Sequence, residues 1–278
     1  MRPLQDARCL KGIVSVSESV EISELVRVSK PRDHVAQITL CREAKRNALS
    51  NSMIADLAEA IGVTEDSADI RCVVLTGSEN VFSAGADIKE MRDRGIEAIT
   101  NRSRTRAWAT IEKCTKPVIA AVCGTCMGGG HELAMLCDIV IASEDAQFAQ
   151  PEIKLGHIPG DGATQRLIRL AGKYVAMKMI LSGEPISAQE AFCVGLASEV
   201  VAQGACLERA LELAEQIARH SPKALSLAKD AVLSAQECSL TQGLAIERRN
   251  IAFAFTTNDQ KEGLAAFFEK RKPRFAGN

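Results

Sequence analysis

Glu132 and Glu152 are the residues best placed by type and spacing to do chemistry. Glu132 follows Gly128-Gly129-Gly130-His131, and Glu152 follows Gln150-Pro151 a few residues before Gly156. Each carboxylate sits beside a glycine turn and twenty residues from the other. On spacing alone each could be an ordinary first-turn or loop carboxylate, since acidic side chains favour helix N-termini. The sharper reading is an acid/base pair. Two carboxylates in one apolar pocket repel, so one can hold a proton to donate while the other stays ionised and accepts one.

The glycines supply a second ingredient. Glycine lets backbone approach a ligand closely, and the first N–H groups of a helix have no internal partner. Together with the helix dipole they form a site for negative charge, whether a phosphate, a carboxylate or an oxyanion that develops in a reaction. Gly130 is followed by His131-Glu132 rather than Lys-Ser/Thr, and the glycine spacing is not G-x-G-x-x-G. Neither a phosphate loop nor a dinucleotide site is expected. The zinc motif H-E-x-x-H is absent because Met135 holds its last position. Cys123, Cys126, His131 and Cys137 approach a zinc-knuckle spacing, but Cys123 ends an apolar strand and Cys137 an apolar helix-like segment. Buried thiols are the expectation there, and no metal site. No G-x-S-x-G elbow offers a hydrolase nucleophile. His34, His157 and His220 receive no role, and Trp108 and Tyr174 read as packing residues.

The elements that must hold these groups can be read from the pattern. A buried strand after Pro117 is broken by the glycines, and a helix starts with Glu132 in its first turn. Upstream, Leu25–Ser29 and Val35–Leu40 read as strands around a hairpin-like Lys30-Pro31-Arg32-Asp33. A helix is expected over 51–61, ended by Gly62, and a strand over Arg71–Thr76. Ser83-Ala84-Gly85-Ala86-Asp87-Ile88 forms a second glycine turn leading to a helix, and a helical run from about 97 to 113 returns to Pro117. After Glu132 come a strand over 138–142, the Glu152 loop, two helices ended by Gly172 and Gly183, a capping box at Ser187, and a strand over 197–201. Three longer helices and a short fourth complete the chain, opened by Cys206, Ser221-Pro222, Ser239 and residue 259. The expected division is a tail over 1–23, an α/β core over 24–203 and a helical region over 204–278.

Composition narrows the classes. The chain has 278 residues, 46% of them apolar, and 34 basic against 35 acidic side chains. That length supports a sizeable core, and near-neutral charge gives no argument for nucleic acid or an anionic membrane surface. Ten cysteines scattered in apolar runs suggest reduced thiols rather than a disulfide framework. No run approaches the roughly 18 apolar residues of a spanning helix. The expected location is cytoplasmic.

Taken together, Ser83-Ala84-Gly85-Ala86-Asp87-Ile88-Lys89-Glu90-Met91, Gly128-Gly129-Gly130-His131-Glu132-Leu133-Ala134, Gln150-Pro151-Glu152, Ile158-Pro159-Gly160 and Thr164-Gln165-Arg166-Leu167 resemble the crotonase superfamily, and within it the enoyl-CoA hydratases. The likeness runs from about residue 25 to Phe268-Glu269-Lys270-Arg271-Lys272. It implies a crotonase fold of repeated ββα turns with a helical C-terminal region, assembled as trimers that pair into hexamers. It implies hydration of trans-2-enoyl-CoA to 3-hydroxyacyl-CoA, in fatty acid β-oxidation or related acyl-CoA catabolism. It gives the N–H groups of Ala86 and Gly129 as the oxyanion hole, Glu132 as base toward water, Glu152 as acid toward the α-carbon, and Gly160 as a water-holding position. Ala84, Asp87, Ile88 and Lys45 match positions near CoA, and Lys270 would reach the CoA phosphates from a neighbouring subunit. No separate cofactor is implied, since CoA belongs to the substrate. The alternatives are a 3,2-enoyl-CoA isomerase or specialised acyl-CoA dehydratase of the same superfamily, and a non-catalytic binding protein that keeps the fold. The sequence departs from the usual hydratase pattern at Cys123, His131, His157 and Asp161, which bears on rate, pH optimum and acyl preference.

Overall fold

The computed structural model describes residues 20–278, so the expected tail over 1–23 lies almost wholly outside the described residues. The opening strands are β1 (Val20–Glu21), β2 (Val26–Arg32) and β3 (Val35–Leu40), followed by helix α1 (Asn51–Asp66). Then come β4 (Cys72–Thr76), β5 (Val81–Ser83), α2 (Ile88–Arg94), α3 (Glu97–Thr100) and α4 (Arg102–Glu112). The centre of the chain supplies β6 (Val118–Val122), β7 (Thr125–Met127), α5 (Gly129–Leu136), β8 (Ile139–Ser143) and β9 (Gln147–Ala149). After a 3-10 turn at Pro151–Leu155 follow α6 (Ala163–Ser182), β10 (Ile186–Ser187), α7 (Ala188–Cys193) and β11 (Glu199–Val201). Helices α8 (Cys206–Ala218), α9 (Pro222–Ser234), α10 (Leu240–Ala254) and α11 (Asn258–Phe268) end the chain.

Two sheets divide these strands. The larger has the order β1-β2-β3-β4-β6-β8-β11 and the smaller β10-β9-β7-β5. The pairs β4/β5, β6/β7 and β8/β9 each send their first strand to the large sheet and their second to the small one, and helix follows. These are the repeated ββα turns of the expected fold. The joins β3/β4, β4/β6, β6/β8 and β8/β11 are parallel, as are β5/β7 and β7/β9.

Parallel strands covered on both faces read as continuous apolar runs, and β4 (CVVLT) and β6 (VIAAV) are buried throughout. Their alternate residues pack into different layers. Val73, Leu75, Ala120 and Val122 join the main core with Met53, Ile54 and Leu57 of α1. Cys72, Val74, Ile119 and Ala121 meet Ala210, Leu211 and Ala214 of α8 on the other face.

Several boundaries differ from the expectations. The first hairpin turns at Asp33-His34, with His34 at φ 60°, and β2 runs through Pro31 across a bulge. Helix α1 passes Gly62 because Thr64, one turn beyond buried Ile61, is itself buried. Tertiary packing outweighs the local glycine cost. The run over 97–113 is two helices parted at Asn101, whose side chain caps α4. Gly172 parts the two halves of α6 at φ 79°, ψ 167°, as its position suggested. The capping boxes at Ser187 and Ser239 are formed. Among the described residues, no helix is long and apolar enough to cross a membrane.

Candidate active site

Two glycine turns meet over one cleft. The chain between β5 and α2 passes through Gly85 at φ 96°, held by the Leu49 N–H on its carbonyl at 2.7 Å and by Ser83 Oγ accepting its N–H at 3.2 Å. The chain between β7 and α5 passes through Gly128 at φ 53°. A Cβ on Gly85 would lie 2.7 Å from the Met127 carbonyl oxygen and 3.2 Å from the Gly129 nitrogen, so only glycine permits this approach. A Cβ on Gly129 would lie 3.5 Å from the Ala86 nitrogen. The N–H groups of Ala86 and Gly129 are therefore neighbours at the α5 N-terminus. Neither has an acceptor among the described residues. Two such donors at the positive end of a helix suit an oxygen that gains negative charge.

Leu49, Asn51, Ala86, Gly129, Glu132 and Glu152 line the cleft together with His157, Gly160 and Asp161. Glu132 is 2% exposed and Glu152 9%. The Glu132 Oε1 accepts the N–H groups of Asp161 at 2.9 Å and Ala163 at 2.8 Å. Its other oxygen has no donor among the described residues. Burial pushes the Glu132 carboxyl up to about 7; the Ala163 N–H opposes this, while the Asp161 and Glu152 carboxylates add to it. Burial also raises Glu152, against its own backbone N–H and His157. Two buried carboxyls with raised affinity for protons suit general acid–base work.

Glu152 abuts the turn directly. A Cβ on Gly128 would lie 2.7 Å from its Oε1. Gly128→Ala should therefore strain the backbone and push the carboxylate aside. A displacement near 1 Å is expected to lower kcat about a hundredfold, with a smaller change in KM. Steady-state kinetics beside a thermal melt check this; wild-type kcat in a folded variant would contradict the contact.

The structure distributes the other expected positions unevenly. Gly160 borders the cleft, and its N–H has no acceptor among the described residues. Ala84 is half-buried and ties the turn to Arg46 through its N–H at 2.9 Å. Asp87 caps α2 by accepting the Lys89 and Glu90 N–H groups and pairs with Arg42 at 2.7 Å. Although burial works the other way, Arg42 and those N–H groups hold its carboxyl below the usual range. Ile88 is half exposed at the start of α2, and Lys45 is exposed in the turn before α1. Lys270 lies after α11 at φ 56°, outside the cleft of its own chain. The zinc-knuckle candidates diverge: Cys137 donates to the Leu133 carbonyl, and His131 turns toward Gln150.

Two side chains that hold the site have no role assigned to them from the sequence. Arg104 of α4 is buried, pairs with Asp161 and contacts Asn51 Oδ1 at 3.4 Å. It thereby anchors the loop whose N–H groups hold Glu132. Its signal is an arginine one helical turn before Ala107 and Trp108 on the apolar face of α4. Gln150, fully buried, is the second.

The residues 31–278 match the family described as enoyl-CoA hydratase/isomerase. The chain belongs to that family. It is 46% identical over 256 residues to 2,3-dehydroadipyl-CoA hydratase of Escherichia coli, covering 92% of this chain and all of the relative. It is 44% identical over 241 residues to the mitochondrial enoyl-CoA hydratase of Pongo abelii, covering 87% of this chain and 83% of the relative. Among solved structures it is similar to an enoyl-CoA hydratase subunit of Geobacillus kaustophilus, with TM-score 0.87 and 39% identity over 92% of this chain and all of that one. An enoyl-CoA hydratase of Bacillus anthracis gives TM-score 0.87 and 38% identity over 91% of this chain and all of that one. The fold is that of the crotonase family, and the protein is an enzyme of acyl-CoA chemistry.

Proposed function

We propose that the cleft hydrates a trans-2-enoyl-CoA to a 3-hydroxyacyl-CoA. The carrying observation is a pair of buried glutamates that line one cleft with two N–H groups lacking an acceptor among the described residues. The thioester oxygen takes the N–H groups of Ala86 and Gly129, which draw electron density from the 2,3-double bond. Glu132, held by Asp161 and Ala163, removes a proton from water, and the oxygen adds at C3. Glu152 delivers a proton to C2, and the enolate-like charge collapses to the thioester. Gly160 offers its N–H to the same water.

Both glutamates are available for water, and relatives named as hydratases over most of the chain support hydration over isomerisation. Lys45 and, from a neighbouring subunit, Lys270 would meet the CoA phosphates. Apolar side chains exposed on α10 and α11, including Leu240, Ile251, Phe267 and Phe268, support assembly into trimers and hexamers. The free thiols fit a reducing, cytoplasmic setting.

Mass analysis of products separates the readings. A 2-enoyl-CoA should gain one water. Conversion of a 3-enoyl-CoA to the conjugated isomer, with no hydroxyacyl product from either substrate, would replace hydration by isomerisation.

A further inference from the structure

His131 precedes the proposed base yet turns away from it. It is 1% exposed, its ring centroid lies 5.3 Å from that of Phe148 on β9, and its Nδ1 faces the fully buried Gln150. The amide of Gln150 lies between this nitrogen and the Glu152 carboxylate. With its nitrogen toward Glu152 it donates to Oε1 at 3.1 Å and Oε2 at 3.2 Å, and its oxygen faces His131 Nδ1 at 3.2 Å. Turned over, the amide would set its oxygen against the carboxylate and aim its N–H only at His131. An ionised carboxylate only accepts, so the first arrangement is the one that satisfies it.

That arrangement fixes the histidine as well. The Gln150 oxygen needs a donor, so the proton of the neutral ring belongs on Nδ1. Nε2 is then a bare acceptor, and it has no partner among the described residues. An orphaned acceptor in a buried place costs stability, and leucine or cysteine there would avoid that cost. Burial lowers the ring to about 4, against a backbone hydrogen bond with Ala149 that works the other way, so His131 stays neutral through the working range and does not itself titrate there.

We infer that His131 is a positioning residue for Glu152, acting through Gln150: its Nδ1–H locks the amide so that the amide nitrogen faces the carboxylate. This rests on the role given to Glu152 above. The lock favours the ionised form of Glu152 and so sets how readily it gives up its proton. The charged and titratable groups that share the cleft with Glu152 are Glu132 from α5, Asp161 with its partner Arg104, His157, and Asp87 and Glu90. A change at His131 leaves all of these in place.

The test compares His131→Leu, which removes the donor, with His131→Asn, whose side-chain N–H can stand where Nδ1–H stood. In hydration Glu152 works protonated, so its limb is the alkaline one. His131→Leu should move that limb up by about one pH unit and lower kcat about tenfold, the scale of one hydrogen bond to a charged group, with KM little changed. His131→Asn should restore both toward wild type. Gln150→Leu should move the limb the same way, and adding His131→Leu to it should change nothing further, which keeps the inference testable if one variant folds poorly. An unmoved limb in His131→Leu, equal shifts in the leucine and asparagine variants, or additive effects with Gln150→Leu would each overturn it. Glu152→Gln separates this from the parent reading: if that variant stays active, the role of Glu152 fails, whatever His131 does.

Discussion

Glu152→Gln should lower kcat for hydration by about a thousandfold or more while leaving the fold and CoA binding intact. Loss of a positioned general acid is worth on the order of 10²–10⁴ in rate, and no other acid is placed to substitute. Glu132 is held by two backbone N–H groups, and Asp161 is bound to Arg104. Glutamine keeps the volume beside Gly128 and cannot deliver a proton. KM should change by less than threefold, because the groups proposed for CoA lie elsewhere, which marks a contact made in the transition state. Steady-state kinetics with binding of a non-reactive acyl-CoA reads both. A variant within tenfold of wild-type kcat would remove Glu152 from the mechanism.

The second large effect couples activity to stability. Glu132→Gln should abolish hydration and also make the protein more stable at pH 8. The sign follows from proton binding. The native carboxyl titrates near 7, and the unfolded one near the ordinary 4.5. Between these values the native state binds more protons than the unfolded state, so stability falls as pH rises through the window and stays reduced above it. A shift of that size corresponds to roughly 3 kcal/mol. Glutamine does not titrate, and its amide oxygen still accepts from Asp161 and Ala163. The variant should melt several degrees above wild type at pH 8 and together with it near pH 4. Thermal melts at both pH values check this; coincident curves at pH 8 would show that Glu132 is not held in a costly ionised state.

The fold was largely legible because its determinants are local. The runs at 72–75 and 118–122 are apolar throughout, and the caps at Ser187, Ser221 and Ser239 stand one residue before their helices. The site was legible where glycine and glutamate share a turn, as at Gly129 and Glu132. Strand β7 was not, since three residues carry no period. Nor was the end of α1, where burial of Thr64 carries the helix past Gly62. The contacts that tune the glutamates join distant segments: Arg104 to Asp161 across 57 residues and His131 to Gln150 across 19. No local pattern reports which side chains meet across such gaps. The resemblance supplied the roles, and the geometry supplies what holds each residue in place.

Addition of water to an enoyl thioester by two glutamates is read in the ultraviolet absorbance of the conjugated enoyl thioester when the purified protein meets crotonyl-CoA, beside a folded Glu132→Ala/Glu152→Ala control. Absorbance should fall with the wild-type chain and hold steady with the control. Equal loss with both, or none with the wild type, would contradict hydration by the two glutamates.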